Sequence, residues 1–283
     1  MLGCHLSVAG GLHRALVEAT ALDLACVQVF TQNQRQWKAR RLKREDLDPW
    51  RRQRAAWGCR PVVSHASYLI NLAAADPALR RRSLRALRSE LRRCEALGIG
   101  VLVVHPGAHN GAGEPRGLDR VVRSINQVHR ALPDGSTVLC LETTAGAGTT
   151  LGGAMEQLAA IRRNVDEPER VGVCLDTAHL FAAGYDLSGP AAARDTLRRC
   201  GAILGWNTIH AAHINDSKTP LGSHRDRHEH IGKGHIPLDA FAEVVNHPHL
   251  RTIPLILETP KAIAPDGRSW DEVNLDVLRG LLK

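Results

Sequence analysis

The chain has 283 residues, of which 43% are hydrophobic and 23% charged, enough for one large domain or two small ones. No apolar segment reaches the length of a membrane span, and the N-terminus turns to Gly10-Gly11 and His13-Arg14 too soon for a signal peptide. The net charge of +8 and the pI of about 9.4 suit a polyanionic partner such as nucleic acid, but do not identify one.

The seven cysteines are widely dispersed and form no CxxC pair. Several lie inside apolar runs, where cysteine is a small buried hydrophobe. An odd and scattered set excludes a disulfide framework and indicates a reducing compartment. We therefore expect a soluble, cytoplasmic protein that contacts no membrane.

Short apolar runs alternate along the chain with segments of helical periodicity. The predicted strands are Leu2–His5, Cys26–Phe30, Pro61–His65, Val101–His105, Thr137–Glu142, Val171–Asp176, Ile209–Asn215 and Pro254–Thr259. The predicted helices begin at Leu12, Arg44, Pro77, Leu118, Ala154, Pro190, Pro237 and Ser269. Eight βα units in strict alternation predict a single α/β domain over residues 1–283, a (β/α)₈ TIM barrel, rather than a doubly wound sheet.

Metal-competent side chains stand where the predicted strands end, which is the rim that carries the chemistry in such barrels. The strand ends supply His65, His105, Glu142, Asp176, His213 and Glu258, and the following loops supply His179, Asp226 and His228. One such histidine is more often a cap or a core residue than a ligand, and one such glutamate more often forms a salt bridge. The repetition on six of eight strands favours a metal site.

Imidazole and carboxylate together are typical ligands of zinc or manganese in hydrolytic sites. Four carboxylates packed together would raise one another's pKa values unless cations lay between them. Three divalent ions carry +6 against −4, which leaves positive charge to receive a phosphodiester. No Ser-His-Asp arrangement and no Walker-type glycine loop is present, so no nucleotide cofactor is expected.

Several motifs at these positions closely resemble endonuclease IV, the zinc-dependent apurinic/apyrimidinic (AP) endonuclease of the type 2 family. The resemblance covers essentially the whole chain. It rests on FTQNQRQW at 30–37, HASYLINL at 65–72, HPGAH at 105–109, LETTAG at 141–146, LDTAH at 175–179, DRH at 226–228 and LET at 257–259.

The resemblance implies a trinuclear centre of three Zn²⁺, with Mn²⁺ as an alternative at one position. His65, His105 and Glu142 would hold the first metal. Glu142 would bridge to a second that is held by Asp176, His213 and Glu258. The third would lie between His179, Asp226 and His228.

The resemblance also implies a reaction, which is hydrolysis of the phosphodiester 5′ to an abasic site in double-stranded DNA. This would leave a 3′-hydroxyl and a 5′-deoxyribose phosphate, with a metal-bridging hydroxide as nucleophile and Glu142 as its catalytic bridging ligand. We further expect a monomer.

Candidate DNA contacts lie on loops at the same rim. Side chains that fill the gap left by a missing base are the usual means of opening such a stack. The resemblance assigns this role to Arg35, Tyr68 and Leu69, with Asn33 and Gln34 beside them. Tyr68-Leu69-Ile70 is otherwise explained as an inward-packing helix start. Phosphate contacts are predicted at Lys218, Arg225, Arg227 and Lys233.

Two other functions remain open at this point: a metal-dependent sugar isomerase or epimerase on a related barrel, and a non-catalytic DNA- or metal-binding protein. The remaining histidines near the ligand motifs, His109, His224, His230 and His235, are interpreted as solvated loop residues. The run of seven arginines within Arg80–Arg93 is interpreted as the solvated face of an outer helix.

Overall fold

The computed structural model describes residues 1–283. Its strands are β1 (Leu2–His5), β2 (Cys26–Val29), β3 (Val62–His65), β4 (Val101–Val104), β5 (Val138–Glu142), β6 (Val171–Asp176), β7 (Ile209–His213), β8 (Asp216–Ser217), β9 (His228–Glu229) and β10 (Leu255–Leu257). Eight of them pair in parallel and close in the order β1-β10-β7-β6-β5-β4-β3-β2. The predicted barrel is therefore confirmed.

An outer ring of helices surrounds the barrel. These helices are α1 (Leu12–Ala21), α2 (Arg44–Ala56), α3 (Pro77–Leu97), α4 (Glu114–Arg130), α5 (Met155–Asn164), α6 (Thr177–Ala183), α7 (Pro190–Leu204), α8 (Leu238–Val245) and α9 (Trp270–Gly280). A cluster of 59 buried hydrophobic residues fills the space around them and the strands. No helix combines the length and the apolar character needed to cross a bilayer.

A small apolar layer fills the barrel interior beneath the rim. Val63, Val103, Cys140, Cys174 and Ala211 form this layer, and each is at most 1% exposed. Each stands two residues before a predicted ligand, which lies at the end of the same strand or, for His105, directly after it. Because strand side chains alternate between faces, the ligands must also point inward, one layer closer to the rim.

The prediction of eight helices in strict alternation is wrong at one place. A ninth helix, α6, follows β6 without an intervening loop, and α7 comes before β7. The Asp176 carboxylate accepts a hydrogen bond from the His179 backbone N–H and so caps α6. The sequence analysis treats Asp176 only as a metal ligand, and it therefore missed this seven-residue helix.

The long segment over 216–235, between β7 and α8, contains regular structure of its own. The short strands β8 and β9 pair antiparallel within it. The Asp216 carboxylate accepts hydrogen bonds from the backbone N–H groups of Ser217, Gly232, Gly234 and Ile236, at 2.7–3.0 Å. One buried acceptor thus gathers both ends of the segment that carries Asp226 and His228.

The interpretation of Arg80–Arg93 as a solvated face fails at Arg93, which is only 8% exposed. Its guanidinium donates to the backbone oxygens of Thr31 and Arg40 and to the Thr31 hydroxyl. The same hydroxyl donates to Glu90 Oε2 at 2.9 Å. This buried group anchors the loop after β2, which carries Asn33, Gln34 and Arg35, to α3.

Replacing Arg93 with methionine should lower the free energy of unfolding by about 2–4 kcal/mol, because buried oxygens lose their donors and Glu90 loses a neighbouring cation. Arg92→Met, an exposed change one residue away, should cost less than about 0.5 kcal/mol. Urea denaturation of both variants measures the difference. Equal effects would contradict the anchoring role.

Candidate metal centre

The structure brings the nine predicted ligand side chains together at the carboxyl ends of the barrel strands. Eight of the nine form three overlapping groups, and within each group the donor atoms all lie within 4.8 Å of one another. The groups are His65–His105–Glu142, then Glu142–Asp176–His213–Glu258, and then Asp176–His179–His228. Asp226, half exposed, lies against the third group.

Glu142 is the centre of this arrangement. Its carboxylate is fully buried, and four imidazoles surround it. Oε2 lies 3.1 Å from His65 Nε2 and 2.8 Å from His105 Nε2. Oε1 lies 2.7 Å from His213 Nδ1 and 3.4 Å from His179 Nδ1. Each oxygen therefore faces a different pair of imidazoles, which is the geometry of a carboxylate shared between two cations.

Two buried nitrogens in the third group have no hydrogen-bond partner. They are Nε2 of His179 and Nε2 of His228. Asp226 places one carboxylate oxygen 3.1 Å from the former and the other 3.3 Å from the latter. Buried polar atoms without partners are costly. Convergent imidazole and carboxylate donors would be satisfied by a zinc or manganese ion, so this donor set fits a metal.

Charge within the centre is strongly coupled. Burial opposes ionisation of Glu142, but the imidazoles of His213 and His105 outweigh it and hold the pKa of that carboxyl well below its usual range. Burial likewise opposes protonation of His179, yet the carboxylates of Asp176, Asp226 and Glu142 raise its pKa well above normal. Burial opposes ionisation of Asp226 as well, yet the nearby imidazole of His179 lowers the pKa of that carboxyl to about 2.

Sequence reasoning missed Gln28, which lies on β2 beneath the second group and is fully buried. Its Oε1 lies 2.9 Å from His213 Nε2, and its Nε2 donates to Glu258 Oε1 at 2.5 Å. The same Nε2 lies 2.9 Å from His5 Nδ1. A lone amide within the apolar run Cys-Val-Gln-Val was the signal available in the sequence.

Asn215 supports the same group from the opposite side. Its Nδ2 donates to Asp176 Oδ2 at 2.7 Å, and its Oδ1 accepts from the Glu258 backbone N–H at 2.8 Å. The sequence pattern indicates this residue only as the end of a strand, so its supporting role was missed.

The candidate DNA-contacting residues lie on loops around the centre. Tyr68 is 61% exposed, and its ring centroid lies 5.3 Å from that of His65. Leu69 beside it is half-buried, and no helix starts here. The Ser67 hydroxyl donates to the Gln34 backbone oxygen at 2.6 Å, which joins this loop to the one with the exposed Asn33 and Arg35.

The basic residues of the 216–236 segment are exposed. They are Lys218, Arg225, Arg227 and Lys233. Lys218 Nζ lies 3.7 Å from Glu229 Oε2, and the others form no salt bridge. Their side chains are available to an anionic partner.

The interpretation of the extra histidines as solvated is wrong for His230. Its ring stacks on Trp270, with centroids 3.8 Å apart, and it is buried. His109 Nδ1 accepts from the Gly113 backbone N–H, and His224 Nδ1 lies 3.1 Å from the Ala145 oxygen. His235 is exposed. None of these four belongs to the three donor groups.

Comparison with known proteins gives consistent results. Residues 16–279 match the family model described as a xylose isomerase-like TIM barrel. A relative from Geobacter sulfurreducens named "Probable endonuclease 4" is 42% identical over 282 residues, which cover 100% of this chain and 94% of the relative. The crystal structure of endonuclease IV from Thermus thermophilus superposes with a TM-score of 0.87 at 34% identity, covering 99% of this chain and 98% of that one.

A D-tagatose 3-epimerase-like protein superposes with a TM-score of 0.75, covering 99% of this chain and 96% of that one. At 17% identity, this similarity shows a shared fold and nothing about the reaction.

Proposed function

The chain belongs to the endonuclease IV family, and on that premise we propose that it is a DNA-repair hydrolase, a deoxyribonuclease IV. It cleaves the phosphodiester 5′ to abasic sites in duplex DNA and leaves a 3′-hydroxyl and a 5′-deoxyribose phosphate. The observation that carries the proposal is the position of Glu142, a buried carboxylate common to two of the three donor groups.

Three zinc ions are the proposed cofactors, with Mn²⁺ as an alternative at one position. His65, His105 and Glu142 would hold the first, Glu142, Asp176, His213 and Glu258 the second, and His179, Asp226 and His228 the third. When bound, such ions polarise a phosphoryl oxygen, activate water at neutral pH and stabilise the leaving oxygen. Three divalent ions would contribute six positive charges and the four carboxylates four negative ones. The cluster would therefore keep a net positive charge, which favours binding of a phosphodiester.

The protein's own part is to hold these donors in place and to exclude bulk water beneath them. The apolar layer of Val63, Val103, Cys140, Cys174 and Ala211 closes the barrel under the ligands. Charges in such a site interact strongly because little water screens them.

Recognition of the lesion is assigned to the neighbouring loops. Arg35, Tyr68 and Leu69 would fill the gap left by the missing base, while Asn33 and Gln34 shape the first loop. Lys218, Arg225 and Arg227 would contact phosphates and fix the register of the duplex. We also propose that the protein acts as a monomer, as one domain, in the reducing cytoplasm, where its seven unpaired cysteines would stay reduced.

Purified protein should nick a labelled duplex containing one abasic site. A chelator should abolish this activity and zinc should restore it. Glu142→Gln should lower turnover by about 100-fold or more, because outer-shell changes alone cost about 10–100-fold in such sites. Glu169→Gln, an exposed change before β6 at the other end of the barrel, serves as the control. An intact duplex after incubation with zinc-loaded protein would refute the proposal.

Tyr68→Ala and Arg35→Ala should weaken binding to the abasic duplex by about 10- to 100-fold, since stacking on a base contributes about 1–3 kcal/mol. Zinc content should stay the same, because neither side chain belongs to a donor group. Lys38→Ala, an exposed change in the same loop as Arg35, is the matched control. Fluorescence anisotropy and metal analysis report the two properties separately. If either variant lost as much zinc as His105→Ala, the proposal that these side chains fill the gap left by the missing base would be contradicted.

A further inference from the structure

Two stripes of arginine lie on neighbouring helices of the outer wall of the barrel. On α3, Arg81, Arg85 and Arg88 follow the spacing i, i+4, i+7, and on α4, Arg116, Arg120 and Arg123 repeat the same spacing. Residues at this spacing share one face of a helix. Together with Arg80 they line two adjoining cavities of about 390 and 280 Å³, which have Gln127 in common. We call this surface the arginine groove.

The groove is poorly neutralised by the protein. Asp119 is its one acidic lining residue, and it pairs with Arg123 at 2.9 Å. None of the other six arginines forms a salt bridge, and Nη1 of Arg120 is buried without a hydrogen-bond partner. The acids of α3 are engaged elsewhere, since Glu90 accepts from Thr31 and Glu95 from Ser136 and Thr137.

Clustered like charges destabilise a folded protein unless a partner compensates them. The partner must carry repeated negative charge, because both stripes present charge at regular intervals. Each stripe extends about 10 Å along its helix, roughly three base-pair rises of a duplex. A groove between two helices also fits a strand of phosphates better than it fits a flat surface.

The groove is joined to the candidate centre. In a barrel of this kind, each helix begins near the carboxyl end of the strand before it. The chain enters α3 from the loop with Tyr68 and Leu69, so the groove descends from the rim that carries the nine ligands. We propose that the arginine groove binds the phosphodiester backbone of duplex DNA away from the lesion, independently of sequence. This rests on the proposed function in taking DNA as the partner.

The test compares two triple variants of the zinc-loaded full chain that have the same net charge. One replaces Arg81, Arg85 and Arg88 with glutamine, and the control replaces Arg44, Arg51 and Arg52, exposed arginines of α2 that form no salt bridge. Anisotropy with an undamaged duplex at several salt concentrations gives the slope of log Kd against log salt. The groove variant should lower that slope by about 3, and the control by less than about 1.

Nicking of an abasic duplex too short to reach the groove should be unchanged in the groove variant. Equal slopes for the two variants would mean that these arginines act only through the net charge of the protein, and would overturn the proposal. An unchanged DNA slope with lost binding to phosphatidylserine vesicles would also overturn it, in favour of a lipid surface. Because binding to undamaged DNA is measured, these results stand even if wild-type protein fails to nick abasic DNA.

A separate observation concerns Gln28, whose amide joins two ligands of the second donor group. An amide oxygen can only accept, so Nε2–H of His213 donates to Gln28 Oε1 and Nδ1 is the ring nitrogen that faces Glu142, 2.7 Å away, and Glu258, 3.2 Å away. The amide nitrogen donates to Glu258 Oε1 and also lies 2.9 Å from His5 Nδ1. One side chain thereby fixes the orientation of an imidazole and the position of a carboxylate.

Outer-shell groups that orient a ligating histidine in this way govern metal affinity. We infer that Gln28 is a positioning residue for the second metal, an inference that rests on the proposed zinc centre. Gln28→Met keeps the size of the side chain and removes both polar contacts. Gln28→Glu keeps the acceptor for His213 and replaces the donor to Glu258 with a repelling oxygen.

Both variants should release one zinc about 10- to 100-fold faster than wild type in a competing chelator dye, and the other two at unchanged rates. Val27→Ala, a neighbouring position on β2 that is buried in the large hydrophobic cluster, should lower the melting temperature without changing zinc release. An unchanged rate of zinc release from Gln28→Met would contradict the inference. Absence of zinc from wild-type protein would instead refute the proposed function.

Discussion

The period-two alternation of side chains in short parallel strands is the constraint on which the site depends. Once Val63, Val103, Cys140 and Cys174 fill the interior, the next inward position on each strand is the rim. Those positions are occupied by His65, His105, Glu142 and Asp176. The same alternation that packs the barrel interior also directs these side chains to one end of it, where their charge is concentrated.

Burying that much charge has a cost, which is offset because carboxylates and imidazoles lie next to each other. Each carboxylate oxygen of Glu142 faces two imidazoles. Around this core lies an outer shell of neutral amides, Gln28 and Asn215, that fix rotamers without adding charge. A neutral donor suits this position because a further ionised group would unbalance the coupled cluster.

Features that repeat along the chain could be predicted from the sequence. Prediction failed where one side chain has two roles, or where two residues in contact are far apart in the chain. Eight strands and nine convergent side chains follow from periodicity and from the residue at each strand end. Helix α6 was missed because Asp176 both ends a strand and caps a helix. The burial of Arg93 and the stacking of His230 on Trp270 depend on partners about 40 to 60 residues away, which no local pattern encodes.

The four N–H groups collected by Asp216 have an evolutionary consequence. A backbone amide donates whatever side chain its residue carries, so this acceptor fixes the path of the segment through main-chain atoms. Gly234 is an exception among the four donors, because a Cβ there would lie 2.3 Å from the Ser217 oxygen. Side chains between Thr219 and Arg225 can therefore change without loosening the main-chain path that brings Asp226 and His228 to the rim, except at Gly222 and His224, whose positive φ values restrict the choice.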